Sequence, residues 1–274
     1  MTMTQFTRRA ISGGVAALSI AGVALLAQAA QTSTTQKPFE PRVGQAGKDV
    51  VWVPTPQATV DAMLNIAKLT KDDFLIDLGA GDGVTVITAA KRGARAMGIE
   101  FNPDMVTLAQ QRIKEAGMTE RATIVQGDFF KTDFSKANIL TMFLLPSLNE
   151  RLRPLILEMK PGTRVVTNTF RMGSGDDEWM PEMEERVNGC ESSYCTAILY
   201  VVPAKVEGVW KMGSNSLTLN QKFQMVSGTM GSTPVTDGKL LGYDITFTAG
   251  GTKYSGTVSA DGKAIQGVNW TATR

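Results

Sequence analysis

The feature that most constrains this fold is a junction. A largely apolar run, Phe74-Leu75-Ile76-Asp77-Leu78, passes directly into Gly79-Ala80-Gly81-Asp82-Gly83, and the residues from Val84 to Arg92 then have helical character. A strand that ends in a glycine-rich turn and feeds a helix is the opening βα unit of an open α/β sheet. In such sheets the turn lets backbone approach a ligand at the carboxyl end of the strand.

The surrounding sequence agrees. From Val53 onward, strand-length apolar runs alternate with segments of helical period, the pattern of a parallel sheet covered by helices on both faces. Further strands are expected at Ala94 to Glu100, Ala122 to Val125, Ile139 to Leu145, Thr163 to Phe170 and Ala197 to Val202, with Ile139 to Leu145 the most apolar and so central. Thr55 is expected to cap the first helix with Pro56 at its first position, and Val60, Met63, Leu64 and Ala67 form its buried stripe. Asn102-Pro103 caps the third helix, with Met105, Leu108, Ala109 and Ile113 inward. Ser147-Leu148-Asn149-Glu150 reads as a capping box for a helix whose stripe is Leu148, Leu152, Leu155, Ile156 and Met159, with Pro154 kinking it. After Pro203 helical stripes vanish, and residues 205–274 read as a small antiparallel β domain, a sandwich or half-barrel, with Trp210 and Trp270 in its core.

The N-terminus has a different character. Arg8-Arg9 precedes an apolar stretch from Ala10 to Leu26, and Ala27-Gln28-Ala29 has the small-x-small form of a signal-peptidase site, so residues 1–29 read as a signal peptide cleaved after Ala29. Thr7-Arg8-Arg9-Ala10-Ile11 partly matches a twin-arginine signal, the route that carries folded proteins. The alternative is an uncleaved anchor helix, and only then is a membrane a partner; both readings place the body outside the cytoplasm, in the periplasm or beyond. Residues 30–50 are expected to be a linker leading to an α/β domain over 51–203.

Composition narrows the chemistry. The chain has 274 residues and no histidine, which excludes histidine bases, Ser-His triads and the commonest metal ligand, and no metal is expected. Lys+Arg number 28 against 26 Asp+Glu, and loss of Arg8 and Arg9 with the leader brings them level, so nothing in the global charge draws nucleic acid. Cys190 and Cys195 are the two cysteines, and in an oxidising compartment they are expected to close a small loop as a disulfide.

The glycine spacing decides among ligands. A dinucleotide fingerprint needs glycine or alanine at the position of Val84, which weakens a nicotinamide-dependent reductase, and a P-loop needs Gly-Lys-Ser/Thr, which is absent. Asp77 followed by Gly79, Gly81 and Gly83 resembles the first motif of class I S-adenosylmethionine-dependent methyltransferases, and the likeness continues with Glu100 ending the second strand and Asp128 following the third. The resemblance implies a Rossmann-like methyltransferase sheet and S-adenosylmethionine as cofactor. It further implies that Glu100 accepts from the ribose hydroxyls, Asp128 from the adenine amino group, Asp77 faces the methionine ammonium and Phe129 stacks on adenine. Gly79, Ala80, Gly81, Gly83 and Phe101 complete the expected cofactor site. The alternative is a tight glycine turn with solvated acids.

A narrower likeness spans Val51 to Phe170. "VWVPTPQATVDAML", "DLGAGDGVTVITAAKRG", "GIEFNP" and "KPGTRVV" resemble the lysine methyltransferases that modify the ATP synthase c-subunit and the adenine nucleotide translocase. It implies a protein lysine as acceptor; a small-molecule acceptor stays open, because Val84 stands where that family often has arginine. Phe143 and Pro146 are candidates to line the acceptor channel, with Trp52 and Thr55 closing it, while Asp176, Asp177 and Glu178 read as a solvated turn, or as a base or a cation-attracting rim. A different class also fits the leader: an exported S-adenosylmethionine-binding protein without turnover.

Overall fold

The computed structural model describes residues 39–274. The expected leader and the first part of the linker lie outside these residues. Within them, seven strands and four helices build an α/β layer: α1 (Gln57–Ile66), β1 (Phe74–Leu78), α2 (Val84–Lys91), β2 (Arg95–Glu100), α3 (Pro103–Glu115), β3 (Ala122–Gln126), β4 (Ile139–Met142), α4 (Pro146–Leu157), β5 (Arg164–Asn168), β6 (Met183–Arg186) and β7 (Thr196–Val201). The strand order is β3-β2-β1-β4-β5-β7-β6, parallel through the first five, with β7 and β6 added antiparallel at one edge.

Side-chain alternation divides the sheet into two cores. Leu75, Ile139, Val166, Ala197 and Leu199 face α1, α2 and α3, whose Val60, Leu64, Val86, Ala89 and Ala109 cover them. Their neighbours Ile76, Leu140, Val165, Ile198 and Tyr200 face α4 through Leu148, Leu152 and Ile156. β4 is buried at every position and stands at the middle of the sheet.

Local corrections follow from proline. Thr55 does not cap α1: Pro56 takes that place in extended conformation (φ −57°, ψ 143°) without a side-chain hydrogen bond, because Thr55 precedes a proline and is itself held out of the helical region. The capping box at Ser147 does not form either. Pro146 occupies the first turn of α4 and shifts the cap to Leu145, so Ser147 lies inside the helix. Leu155 points outward at 46% exposure, and the helix accommodates Pro154 and runs on to Leu157. Asn102 does cap α3, accepting from Asp104 N at 2.9 Å, but Val106 rather than Leu108 joins the buried face.

The terminal domain is neither a sandwich nor a half-barrel. β8 (Gly208–Met212), β9 (Asn215–Lys222), β10 (Met225–Met230), β11 (Thr233–Leu241), β12 (Asp244–Ala249), β13 (Thr252–Val258), β14 (Ala264–Gly267) and β15 (Thr271–Thr273) close into a barrel, because β15 returns to pair with β8 at Ala272↔Met212. Closure removes the edges that a half-barrel leaves open. Its interior is filled by Leu217, Leu219, Leu240, Ile245, Phe247, Ile265 and fully buried Trp210, whose Nε1 donates to Val206 O at 2.8 Å. Trp270 is half-buried and packs edge-on against Phe247 and Tyr254.

Candidate active site

The strand ends converge on one cavity. β1 carries Asp77 to the sheet's carboxyl edge, where the loop turns through Gly79, Gly81 and Gly83 at φ 77°, 53° and 81°. Gly79 N and Ala80 N both donate to Ile99 O (2.9 and 3.1 Å), so the loop is bound to the end of β2. Gly81 has no room for a side chain: a Cβ there would lie 2.8 Å from Trp52 Nε1.

Glu100 ties the next layer together. Its Oε2 accepts from Gly81 N at 2.9 Å and its Oε1 from Asn102 N at 2.8 Å, joining the glycine loop to the start of α3. Asp128, after β3, accepts from Phe130 N and pairs with Lys48 Nζ at 2.7 Å. The Lys48 hydrogen bond holds the Asp128 carboxyl below its ordinary range. Lys48 also stands 5.1 Å from the centroid of the Phe101 ring.

Asp77 is the electrostatic anomaly. It is buried and accepts from Thr141 Oγ1 at 2.6 Å, yet desolvation outweighs that bond, aided by Asp82 and Glu100, and its pKa is pushed up to about 7. A carboxyl in this state favours a cation beside it.

Most expected site residues meet here. Asp77, Gly79, Ala80, Gly81, Glu100, Phe101, Asp128 and Phe129 line the cavity, as do Trp52, Thr55 and Phe143. Gly83 and Pro146 do not: Gly83 is the N-cap of α2 with Ala109 Cβ 3.1 Å from where its own Cβ would be, and Pro146 starts α4 while its neighbour Leu145 reaches the wall. Asp176, Asp177 and Glu178 are also absent from the lining. They sit at a 3₁₀ turn, with Asp177 paired to Arg153 and Glu178 to Arg171.

The sequence reading missed two parts of the wall. Gln45 to Val50, expected as linker, fold over the cavity in a loop closed by Gly44 N→Trp52 O and Trp52 N→Gln45 O. Phe170 and Tyr194 form the opposite rim. No motif marks either part, since both are placed by tertiary contact. Among the described residues no group of three or more Cys, Asp or Glu is placed to hold a metal ion.

The arrangement fits an adenosyl sulfonium amino acid: a glycine cradle, a buried carboxyl poised for a cation and carboxylates at two successive strand ends. A family described as the ANTKMT methyltransferase domain matches residues 77–182. A protein-lysine N-methyltransferase of Saccharolobus islandicus (strain REY15A) is 44% identical over 156 residues, 56% of this chain and 94% of the relative. The chain belongs to this family of S-adenosylmethionine-dependent methyltransferases.

Other relatives agree on methyl transfer. The lysine N-methyltransferase of the ATP synthase c-subunit from Mus musculus is 31% identical over 135 residues, 48% of this chain and 53% of the mouse protein. A crystal structure described as an RNA methyltransferase from Salinibacter ruber, in complex with S-adenosyl-L-homocysteine, is 41% identical with a TM-score of 0.52, covering 56% of this chain and 96% of the other. The methyltransferase is thus an enzyme by family, and these relatives lend no support to a binding protein without turnover. Asp77, Gly79, Ala80, Gly81, Glu100 and Asp128 line this family member's cavity at the ends of its first three strands.

Proposed function

We propose that this methyltransferase modifies the side-chain amine of lysine in a protein acceptor. The observation that carries the reading is the charge of the cavity: Asp49, Asp77, Asp82, Glu100 and Asp128 line it, and among the described residues Lys48 is the one basic side chain in the lining, paired to Asp128 and Asp49, while Arg112 reaches in to pair with Asp82, so the acids remain in excess. Such a lining attracts a cationic side chain and opposes a polyanion, which sets the lysine-modifying relatives above the Salinibacter protein as guides to the acceptor. S-adenosylmethionine, when bound, supplies a methyl group on a sulfonium centre. The protein's task is then positional: Asp77 and Glu100 orient the cofactor, Phe143 and Thr55 exclude bulk water, and the amine, its ammonium proton first given up to solvent, is held in line.

We further propose that the enzyme works after export. The leader sequence supports this, as does the Cys190–Cys195 disulfide, which an oxidising compartment sustains. A twin-arginine route would let the domain fold around its cofactor first.

One experiment addresses both proposals: incubation with methyl-labelled cofactor and separate cytoplasmic, membrane and periplasmic extracts, followed by protein hydrolysis and nuclease digestion. Methyl-lysine from a membrane or periplasmic fraction is expected. Label confined to RNA overturns the acceptor, and label confined to cytoplasmic protein overturns the location.

A further inference from the structure

Three aromatic rings from separate parts of the chain meet in the wall of the cavity. Phe143 follows β4, Phe170 follows β5 and Tyr194 precedes β7. Their centroids form a closed triangle, 6.1 Å from Phe143 to Phe170, 5.3 Å from Phe143 to Tyr194 and 5.8 Å from Phe170 to Tyr194. Each ring is half-buried and each lines the cavity. A core cluster would bury such rings, as Trp179 and Tyr200 are buried nearby. Rings left part-open at a cavity wall offer their π faces to what enters.

The backbone beneath two of these rings is held in unusual ways. Thr169, β-branched, sits at φ 65°, and Phe170 N donates across it to Asn168 O at 2.7 Å. A tight turn of this kind is strained and persists only where its surroundings over-determine it, which concentrates it at functional sites. Those surroundings are present: Thr169 N donates to Thr196 O at 2.7 Å, and Asn149 Nδ2, reaching from α4, donates to Phe170 O at 3.1 Å and Arg171 O at 3.2 Å. Tyr194 is set differently. It lies inside the loop closed by the Cys190–Cys195 disulfide, with Cys195 fully buried and Tyr194 N donating to Ser192 Oγ at 3.1 Å.

We infer that Phe143, Phe170 and Tyr194 form a port that selects an alkylammonium side chain. Phe170 and Tyr194 are its specificity-determining residues, and Thr169 and the disulfide are the positioning elements that aim them. The inference rests on the lysine reading and extends it: it names which side chains read the acceptor and makes acceptor recognition depend on a disulfide. At these spacings the rings touch one another, so a methylene stem lies along the cluster's cavity-facing side while the charged nitrogen meets the exposed π faces, and the port distinguishes charge as well as shape.

The test uses the full chain saturated with S-adenosylhomocysteine and titrated calorimetrically with a short peptide carrying trimethyl-lysine, or the same peptide with a neutral tert-butyl isostere. The charged peptide is expected to bind roughly tenfold more tightly. Tyr194→Ala and Phe170→Ala should each reduce that preference to about threefold or less, and Tyr194→Phe should keep it. In turnover, Tyr194→Ala and the double variant Cys190→Ser/Cys195→Ser should raise the acceptor KM while the affinity for S-adenosylhomocysteine holds. Should the alanine variants fail to fold, Tyr194→Leu and Phe170→Leu keep the bulk without the π face and must show the same loss. Equal binding of the two peptides, or an unchanged acceptor KM in both Tyr194→Ala and Tyr194→Leu while lysine is still methylated, overturns the port and leaves the lysine reading standing. Label found in RNA alone removes the lysine reading itself.

Discussion

Thr141 Oγ1 donates a 2.6 Å hydrogen bond to Asp77 Oδ1, and the two residues face each other across β1 and β4. Their position under the glycine loop leaves the carboxyl little access to water, so burial raises its pKa to about 7 against the bond's opposing pull. A group whose folded pKa lies above its unfolded value of about 4 stabilises the fold below that pH and loses the contribution as pH rises through 7. The ligand-free enzyme is therefore expected to lose stability, on the order of a few kcal/mol, between about pH 4 and 7. Asp77→Asn should flatten that dependence and forfeit cofactor binding. Thermal melts at pH 5 and pH 8, with and without S-adenosylhomocysteine, measure both, and parallel wild-type and variant profiles would refute the assignment.

The contact between Gly81 and Trp52 makes a second prediction. Gly81→Ala places a Cβ 2.8 Å from Trp52 Nε1 and 3.1 Å from its Cδ1 at a positive φ of 53°. Cofactor affinity should fall by roughly tenfold or more while the fold survives, since the clash pushes aside the loop that covers the cavity. Adding Trp52→Ala relieves the steric part and leaves the cost of about 1 kcal/mol for the positive φ. Partial rescue in the double variant is the expected result of a titration; no rescue would mean that the loop does not close on the glycine turn.

The particular residues show which parts of this molecule are legible in sequence. Phe74–Leu78 and its glycine loop are, because strand period, turn glycines and the acid spacing all act locally and agree. β6 was invisible: Met183–Arg186 is exposed at every position and pairs with β7 through backbone alone, so no hydrophobic pattern announces it. The barrel's strands were visible but its closure was not, since Ala272↔Met212 joins residues far apart in the chain. Lys48 and Tyr194 were missed for a similar reason. Each reaches the cavity wall through a loop whose path is set by distant partners, Asp128 for one and the disulfide with its neighbours for the other.

Lys48 Nζ and Asp128 Oδ2 pair at 2.7 Å in the wall of the cavity. The Lys48 side chain is 34% exposed and its pair with Asp128 is near the surface, where solvent screens it, so Lys48→Ala should leave stability nearly unchanged. The kinetic effect should be larger. With Asp128 Oδ2 released and the loop no longer drawn toward Phe101, cofactor association and dissociation are expected to accelerate together, with Kd changing less than either rate. Stopped-flow binding at low and high salt tests this, and rates equal to wild type would show that the loop does not gate the cavity.

An aromatic seam is among the contacts that join the barrel to the α/β layer, beside the approach of Gly242 to Gly162 and Val201, and it bears on whether the two parts melt together. Trp179 is fully buried, with Tyr200 5.1 Å away from its ring on the sheet side and Phe223 6.5 Å away at the turn between β9 and β10. Arg153 lies over Phe223 at 4.9 Å and donates to Met172 O at 2.8 Å, while Tyr200 Oη accepts from Met172 N at 3.1 Å; burial lifts the Tyr200 hydroxyl to about 12. Around this seam Gln224 Nε2 donates to Met180 O at 2.8 Å and Lys239 pairs with Glu182 at 2.6 Å. Removing the barrel's contribution uncovers an indole and strands polar partners, so neither part keeps its full stability alone. Calorimetry should show one cooperative transition, and Phe223→Ala should lower it by about 2 to 4 kcal/mol as a unit. Two resolved transitions, with only the barrel's shifted by the substitution, would mean that the seam is contact without coupling.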